Sequence, residues 1–134
     1  MKKPLSVLLV DDNPPFVRVA TRFLVRRADD VRLVGTAKDA QEALAQTHAL
    51  APEVVLLDLG LPGVGGLEVI PRLRELAPEV GIVVLTLWEP ETHMQACLEA
   101  GAHEFVHKPT LVTQLIPAVQ RAAEAAARGG RQQR

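Results

Sequence analysis

Short apolar runs alternate along the chain with longer stretches in which apolar positions recur every three to four residues. The runs cover residues 5–10, 31–37, 54–57, 82–85 and 104–106. The first, third and fourth are nearly continuous in Val, Ile and Leu, the pattern of parallel strands covered on both faces. After the first run, Phe16, Val19, Ala20, Phe23 and Leu24 follow the i, i+3, i+4, i+7 spacing of one buried helix face, with Arg18, Arg22 and Arg26 as a solvated stripe opposite. Asn13-Pro14 supplies an N-cap and a first-turn proline for that helix. Further helices are predicted over residues 39–50, 66–76, 90–100 and 113–128. Pro71 should bend the third helix, and Pro117 falls in the first turns of the fifth, where the loss is smaller. Residues 129–134 read as a frayed tail or the start of a linker.

Strand and helix in strict alternation predict one α/β domain over residues 1–128, a doubly wound open parallel sheet with helices on both faces. Such sheets bind ligands outside the carboxyl ends of their strands, so the strand ends carry the candidate chemistry. The first strand ends on Asp11 and Asp12, the third on Asp58, the fourth on Thr86, and the fifth runs into Lys108. Two adjacent carboxylates about 4 Å apart repel by roughly 4 kcal/mol at an effective dielectric near 20. One Lys cannot balance three carboxylates, which implies a divalent cation. Hard oxygen ligands with places left for water suit Mg²⁺ better than zinc.

Composition narrows the classes. A length of 134 residues allows a full single core, and with Phe16, Phe23, Phe105 and Trp88 as the aromatics and no tyrosine, that core must be aliphatic. A net charge of −1 leaves no electrostatic footprint for direct nucleic-acid binding. Cys97 is the single cysteine, which excludes an internal disulfide and fits a reducing compartment. No apolar run approaches the roughly 20 residues of a membrane span, and the first residues lack a secretory signal's apolar stretch. A cytoplasmic location is the expectation. His48, His93, His103 and His107 are scattered and read as surface residues, Cys97 reads as packed, and Gly63, Gly65 and Gly66 read as turn residues rather than a phosphate cradle.

The stretches "VLLVDDNP", "PEVVLLDLGLPGVGGLEVI", "IVVLTL" and "GAHEFVHKP" together resemble the receiver (response-regulator) domain of bacterial-type two-component signalling, in order and spacing over nearly the whole chain. The resemblance implies a flavodoxin-like (βα)5 fold with sheet order 2-1-3-4-5. It implies that Asp58 accepts a phosphoryl group from the phosphohistidine of a sensor histidine kinase or phosphotransfer protein, and that Asp11, Asp12, Asp58 and the Gly60 carbonyl hold Mg²⁺. Thr86 and Lys108 would bind phosphoryl oxygens, as would the backbone at Gly60 and Leu87. Phe105 would be the switch aromatic, and the Lys108–Pro109 bond would be cis. The first helix would help to dock the kinase. The domain would be a signalling module rather than an enzyme, assisting its own phosphorylation and dephosphorylation. Its output would pass through the face of helix 4, strand 5 and helix 5 to a downstream protein or an output domain, possible DNA binding included, with a monomer or a phosphorylation-dependent dimer. In receivers the side chains two places after the phosphoacceptor and two places after the switch hydroxyl, here Gly60 and Trp88, flank the approach of the hydrolytic water. Leu87 is larger than the residue many receivers carry there, which should narrow access to Asp58. A haloacid dehalogenase-like Mg²⁺-dependent phosphatase is the competing class; it requires a second Asp where Gly60 stands, and a cap domain.

Overall fold

The computed structural model describes residues 3–63, 65–88 and 90–132, with the side chains of 90–92 and 130–132 outside the description. The elements run β1 (Leu5–Val10), α1 (Pro14–Val25), β2 (Val31–Ala37), α2 (Ala40–Leu50), β3 (Val54–Asp58), α3 (Gly66–Leu76), β4 (Gly81–Thr86), α4 (Pro90–Ala100), β5 (Glu104–His107) and α5 (Leu111–Gln132), with a 3-10 turn at Lys108–Thr110 before α5. The strands pair in parallel in the order β2-β1-β3-β4-β5, the predicted topology.

Strand side chains alternate between the two faces of the sheet, and the core divides accordingly. Leu8, Val10, Val55, Leu57, Ile82 and Val84 pack beneath α2, α3 and α4 on Ala43, Val69, Ile70, Leu73 and Cys97. Val7, Leu9, Val54, Leu56, Val83 and Leu85 pack on the other side against Ala20 and Leu24 of α1 and Leu115, Ala118, Val119 and Ala122 of α5. Both faces of the middle strands are therefore dry, which explains their unbroken Val/Leu/Ile runs. The helices start where capping chemistry allows. Asn13 accepts from the Phe16 N–H at 3.2 Å, and Asp39 accepts from the Glu42 N–H at 2.8 Å.

Two expectations for the helices change. Helix α5 continues to Gln132 instead of fraying after Arg128. Gly129 and Gly130 each disfavour a helix by only about 1 kcal/mol, and Arg128 is paired one turn back with Glu124 at 2.6 Å. Val19 is 60% exposed rather than buried; it borders a groove lined also by Phe23, Arg26 and Val112, because α1 buries the narrower stripe of Ala20 and Leu24. Pro71 and Pro117 lie within α3 and α5 without ending either helix.

His103 is not a free surface residue. Its backbone N–H donates to the Ile82 carbonyl at 2.9 Å, and its ring Nδ1 accepts from the Ile82 N–H at 3.1 Å. It thus completes the edge of β4 just before β5 begins. Nδ1 accepts only while it carries no proton. Burial, and secondarily the Arg74 guanidinium, hold its pKa below 6.5, with Glu104 pulling the other way. A histidine whose folded pKa is depressed stabilises the fold above its unfolded pKa and loses that contribution as the pH falls. The free energy of unfolding should therefore fall by about 1 kcal/mol for one hydrogen bond as pH drops below about 6.5, read as lower denaturant midpoints. His103→Gln, whose amide oxygen accepts at any pH, should lack this component; an identical pH profile would refute it.

Candidate functional site

The ends of β1 and β3 lie side by side, with Val10 opposite Leu57, so Asp11 and Asp58 emerge together at the carboxyl edge. Asp11 is buried at 3% exposure, whereas Asp12 is exposed. Successive residues of an extended segment point opposite ways, so the adjacent carboxylates do not share one environment. Asp11 accepts from the Asn13 N–H at 2.9 Å through Oδ1 and from Lys108 Nζ at 2.8 Å through Oδ2. Lys108 Nζ also lies 3.3 Å from Asp58 Oδ1, bridging the two buried acids. It sits 4.2 Å from the centroid of the Phe16 ring, a cation–π contact that ties the start of α1 to the site.

Asp58 Oδ1 accepts from the Gly60 N–H at 3.2 Å. Burial first, then the Asp11 charge, raise the Asp58 pKa above 3.8, against the opposing pull of Lys108 and the Gly60 N–H. Ligand oxygens from Asp11, Asp12 and Asp58 all lie within 4.8 Å of one another. Three hard donors in that space, with one ammonium as counter-charge, fit a small divalent cation. The loop after Asp58 returns tightly. A Cβ on Gly66 would lie 2.5 Å from the Asp58 carbonyl oxygen and 2.8 Å from Leu59 Cα, so only glycine lets α3 begin there.

Thr86 closes β4 and is buried, its hydroxyl accepting from the Trp88 N–H at 3.0 Å. Leu87 does not narrow the approach as expected; its side chain points largely to solvent, 68% exposed. Trp88 is the bulky neighbour instead. A Cβ on Gly60 would be 3.8 Å from both Asp58 Oδ1 and Trp88 Cη2, so the indole tip and the carboxylate border the same small space. The indole meets the His93 ring edge-on, with centroids 5.4 Å apart. Phe105 is half-buried against the core beneath α4 and borders a 360 Å³ cavity with Thr113, Gln114, Pro117 and Arg121 of α5.

The Lys108–Pro109 bond is trans, not cis as the resemblance implied. Lys108–Thr110 forms a 3-10 turn in which the Leu111 N–H reaches the Lys108 carbonyl and Thr110 Oγ1 donates to the His107 carbonyl at 3.1 Å. That turn leads directly into α5 with the X-Pro bond in its intrinsically preferred isomer. The sequence reading also missed the histidines. His103, His93 and His107 each make a defined contact, the last through Nε2 to the Leu87 carbonyl at 3.0 Å. A lone histidine carries no periodic signal that would have revealed this.

Residues 7–120 match the model of the response regulator receiver domain. A provisionally described transcriptional regulator of Pseudomonas aeruginosa is 40% identical over 115 residues, covering 86% of this chain and 55% of that protein. The nitrate/nitrite response regulator protein NarL of Escherichia coli strain K12 is 32% identical over 122 residues, covering 91% of this chain and 56% of NarL. The chain therefore spans about half the length of these curated relatives. A two-component response regulator of the LuxR family from Aurantimonas sp. SI85-9A1 superposes with a TM-score of 0.82 at 28% identity, covering 97% of both chains. None of these relatives supports the phosphatase reading. No helix among the described residues is long and apolar enough to cross a membrane. The chain belongs to the response regulator receiver domain family.

Proposed function

We propose that Asp58 takes a phosphoryl group from the phosphohistidine of a sensor kinase or phosphotransfer protein, in a Mg²⁺-dependent reaction. The observation that carries this is the Asp11–Lys108–Asp58 bridge, with Asp12 completing three carboxylates within 4.8 Å. Asp11, Asp12, Asp58 and the Gly60 carbonyl would hold the cation, which supplies charge neutralisation for the phosphoryl oxygens when bound. Asp58 attacks phosphorus, the P–N bond breaks, and its electron pair returns to the imidazole of the donor. Little further covalent chemistry is needed, because positioning and charge neutralisation supply most of phosphoryl transfer. Lys108, the Thr86 hydroxyl and the backbone N–H groups of Gly60 and Leu87 would receive the phosphoryl oxygens.

Residues 1–128 act as the receiver module, with residues 129–134 as a tail or the start of a linker. Thr86 and Phe105 form the switch, read out on the face of α4, β5 and α5 by a downstream protein or output domain, as a monomer or a phosphorylation-dependent dimer. The setting is cytoplasmic, and the domain itself is no enzyme beyond assisting its own phosphorylation and dephosphorylation. Incubation with acetyl phosphate and Mg²⁺ should add the mass of one phosphoryl group, and a chelator should prevent it. Uptake that is indifferent to the chelator would overturn the metal assignment; no uptake at all would overturn the function.

A further inference from the structure

The peptide joining Leu87 to Trp88 is tied at both polar ends. Its N–H donates to Thr86 Oγ1 at 3.0 Å, and its carbonyl accepts from His107 Nε2 at 3.0 Å. A carbonyl oxygen can only accept, so Nε2 carries a proton, as it does in one neutral tautomer and in the imidazolium. His107 reaches this carbonyl from the neighbouring strand, where it is the register partner of Thr86. The end of β5 thus delivers two side chains in succession. Lys108 goes to the buried carboxylates and His107 to the loop above them.

Trp88 is 52% exposed. Burial alone holds such a ring weakly, so its direction depends on the backbone that carries it. The plane of the Leu87–Trp88 peptide helps to set how the Trp88 side chain leaves the chain. From there the indole tip reaches the space beside Gly60 and Asp58, with its flank against His93.

We infer that His107 is a positioning residue, which holds the Leu87 carbonyl so that Trp88 lies over the mouth of the Asp58 site. The consequence for the aspartyl phosphate rests on the function proposed above, whereas the placement of Trp88 does not. Where Asp58 is phosphorylated, His107 acts through Trp88 on how readily water reaches the phosphorus.

The test has two arms on the full chain. Trp88 is the only tryptophan, so emission of the unphosphorylated protein reports its placement alone. His107→Ala should shift that emission to the red and make it more easily quenched by acrylamide. His107→Gln, whose amide can donate to the same carbonyl, should restore both. In the second arm, phosphorylated His107→Ala should lose its phosphate roughly threefold faster than the parent, less than 1 kcal/mol in the barrier. The same substitution in a Trp88→Ala background should change nothing, because the two act in series. Parent-like emission and quenching in His107→Ala would overturn the inference, as would equal acceleration with Trp88 absent. If none of the proteins takes up phosphate, the functional reading fails while the emission arm still decides the placement.

Discussion

Asp58→Asn will abolish phosphoryl uptake from acetyl phosphate and, in metal-free buffer, will raise the stability of the domain. The first effect follows from the function proposed above, in which the Asp58 carboxylate is the nucleophile. The second follows from the local charges. Asp58 lies within 4.8 Å of the Asp11 carboxylate, and two unit charges about 5 Å apart repel by about 3 kcal/mol at an effective dielectric near 20. Lys108 offsets part of this but stays paired with Asp11 at 2.8 Å when Asp58 is neutral. A gain of about 1–2 kcal/mol is the expected balance. The pH dependence has a sign that separates it from ordinary carboxylate behaviour. The folded pKa of Asp58 is raised by burial and by Asp11, so folding favours its protonated form. Its contribution is fully present below about pH 3.8 and is lost as pH rises through the raised value. The gap between Asp58→Asn and the parent should therefore widen from acid toward neutral pH. Excess Mg²⁺ should narrow it by binding only the parent's complete site. A variant less stable than the parent at neutral pH without metal would refute the repulsion argument. His103 acts in the opposite sense, losing stability as pH falls, but both proteins carry it and it cancels from the gap.

Much of this site was legible because strand ends are legible. The unbroken runs 54–57 and 82–85 can be dry on both faces only in a covered parallel sheet, and such a sheet exposes chemistry at its carboxyl edge. That logic points to Asp11, Asp58 and Lys108, and they meet at 2.8 and 3.3 Å. Contacts made by single side chains across elements left no such trace. Nothing in the spacing of Phe16 and Lys108 announces a ring beneath an ammonium. Nothing in "GAHEFVHKP" distinguishes a His103 that caps β4 from one in solvent. The direction of Leu87 was misjudged for the same reason. Its size argued for obstruction, but the side chain faces solvent at 68% exposure, and Trp88 is the residue that borders the site. The isomer of the Lys108–Pro109 bond depends on the turn that leads into α5, which periodicity does not encode. Helix α5 outran its predicted end because a glycine pair weakens a helix without forbidding it.

Trp88→Ala should shorten the life of the aspartyl phosphate by about tenfold, a change of 1.4 kcal/mol in the barrier. On the function proposed above, hydrolysis needs a water in line with phosphorus, and by the resemblance to receivers Gly60 and Trp88 would border that approach. Gly60 offers no side chain, so one wall is already missing. The other wall is the indole, whose Cη2 lies 3.8 Å from the point a Gly60 Cβ would occupy, as does Asp58 Oδ1. Removing the indole leaves both sides open. Trp88→Phe should fall between the two, since a smaller ring covers less of the mouth. Gly60→Ala should matter little, because its Cβ would make ordinary contacts at 3.8 Å with nothing forced to move. Gly60→Gln has room for that Cβ but must then compete with the indole for the same space. Its effect should be modest beside Trp88 and larger once Trp88 is gone, which makes the pair non-additive. Time courses of phosphate release from the parent, the single variants and the double variant decide the matter. Decay of Trp88→Ala no faster than the parent would show that the indole does not control the water's approach.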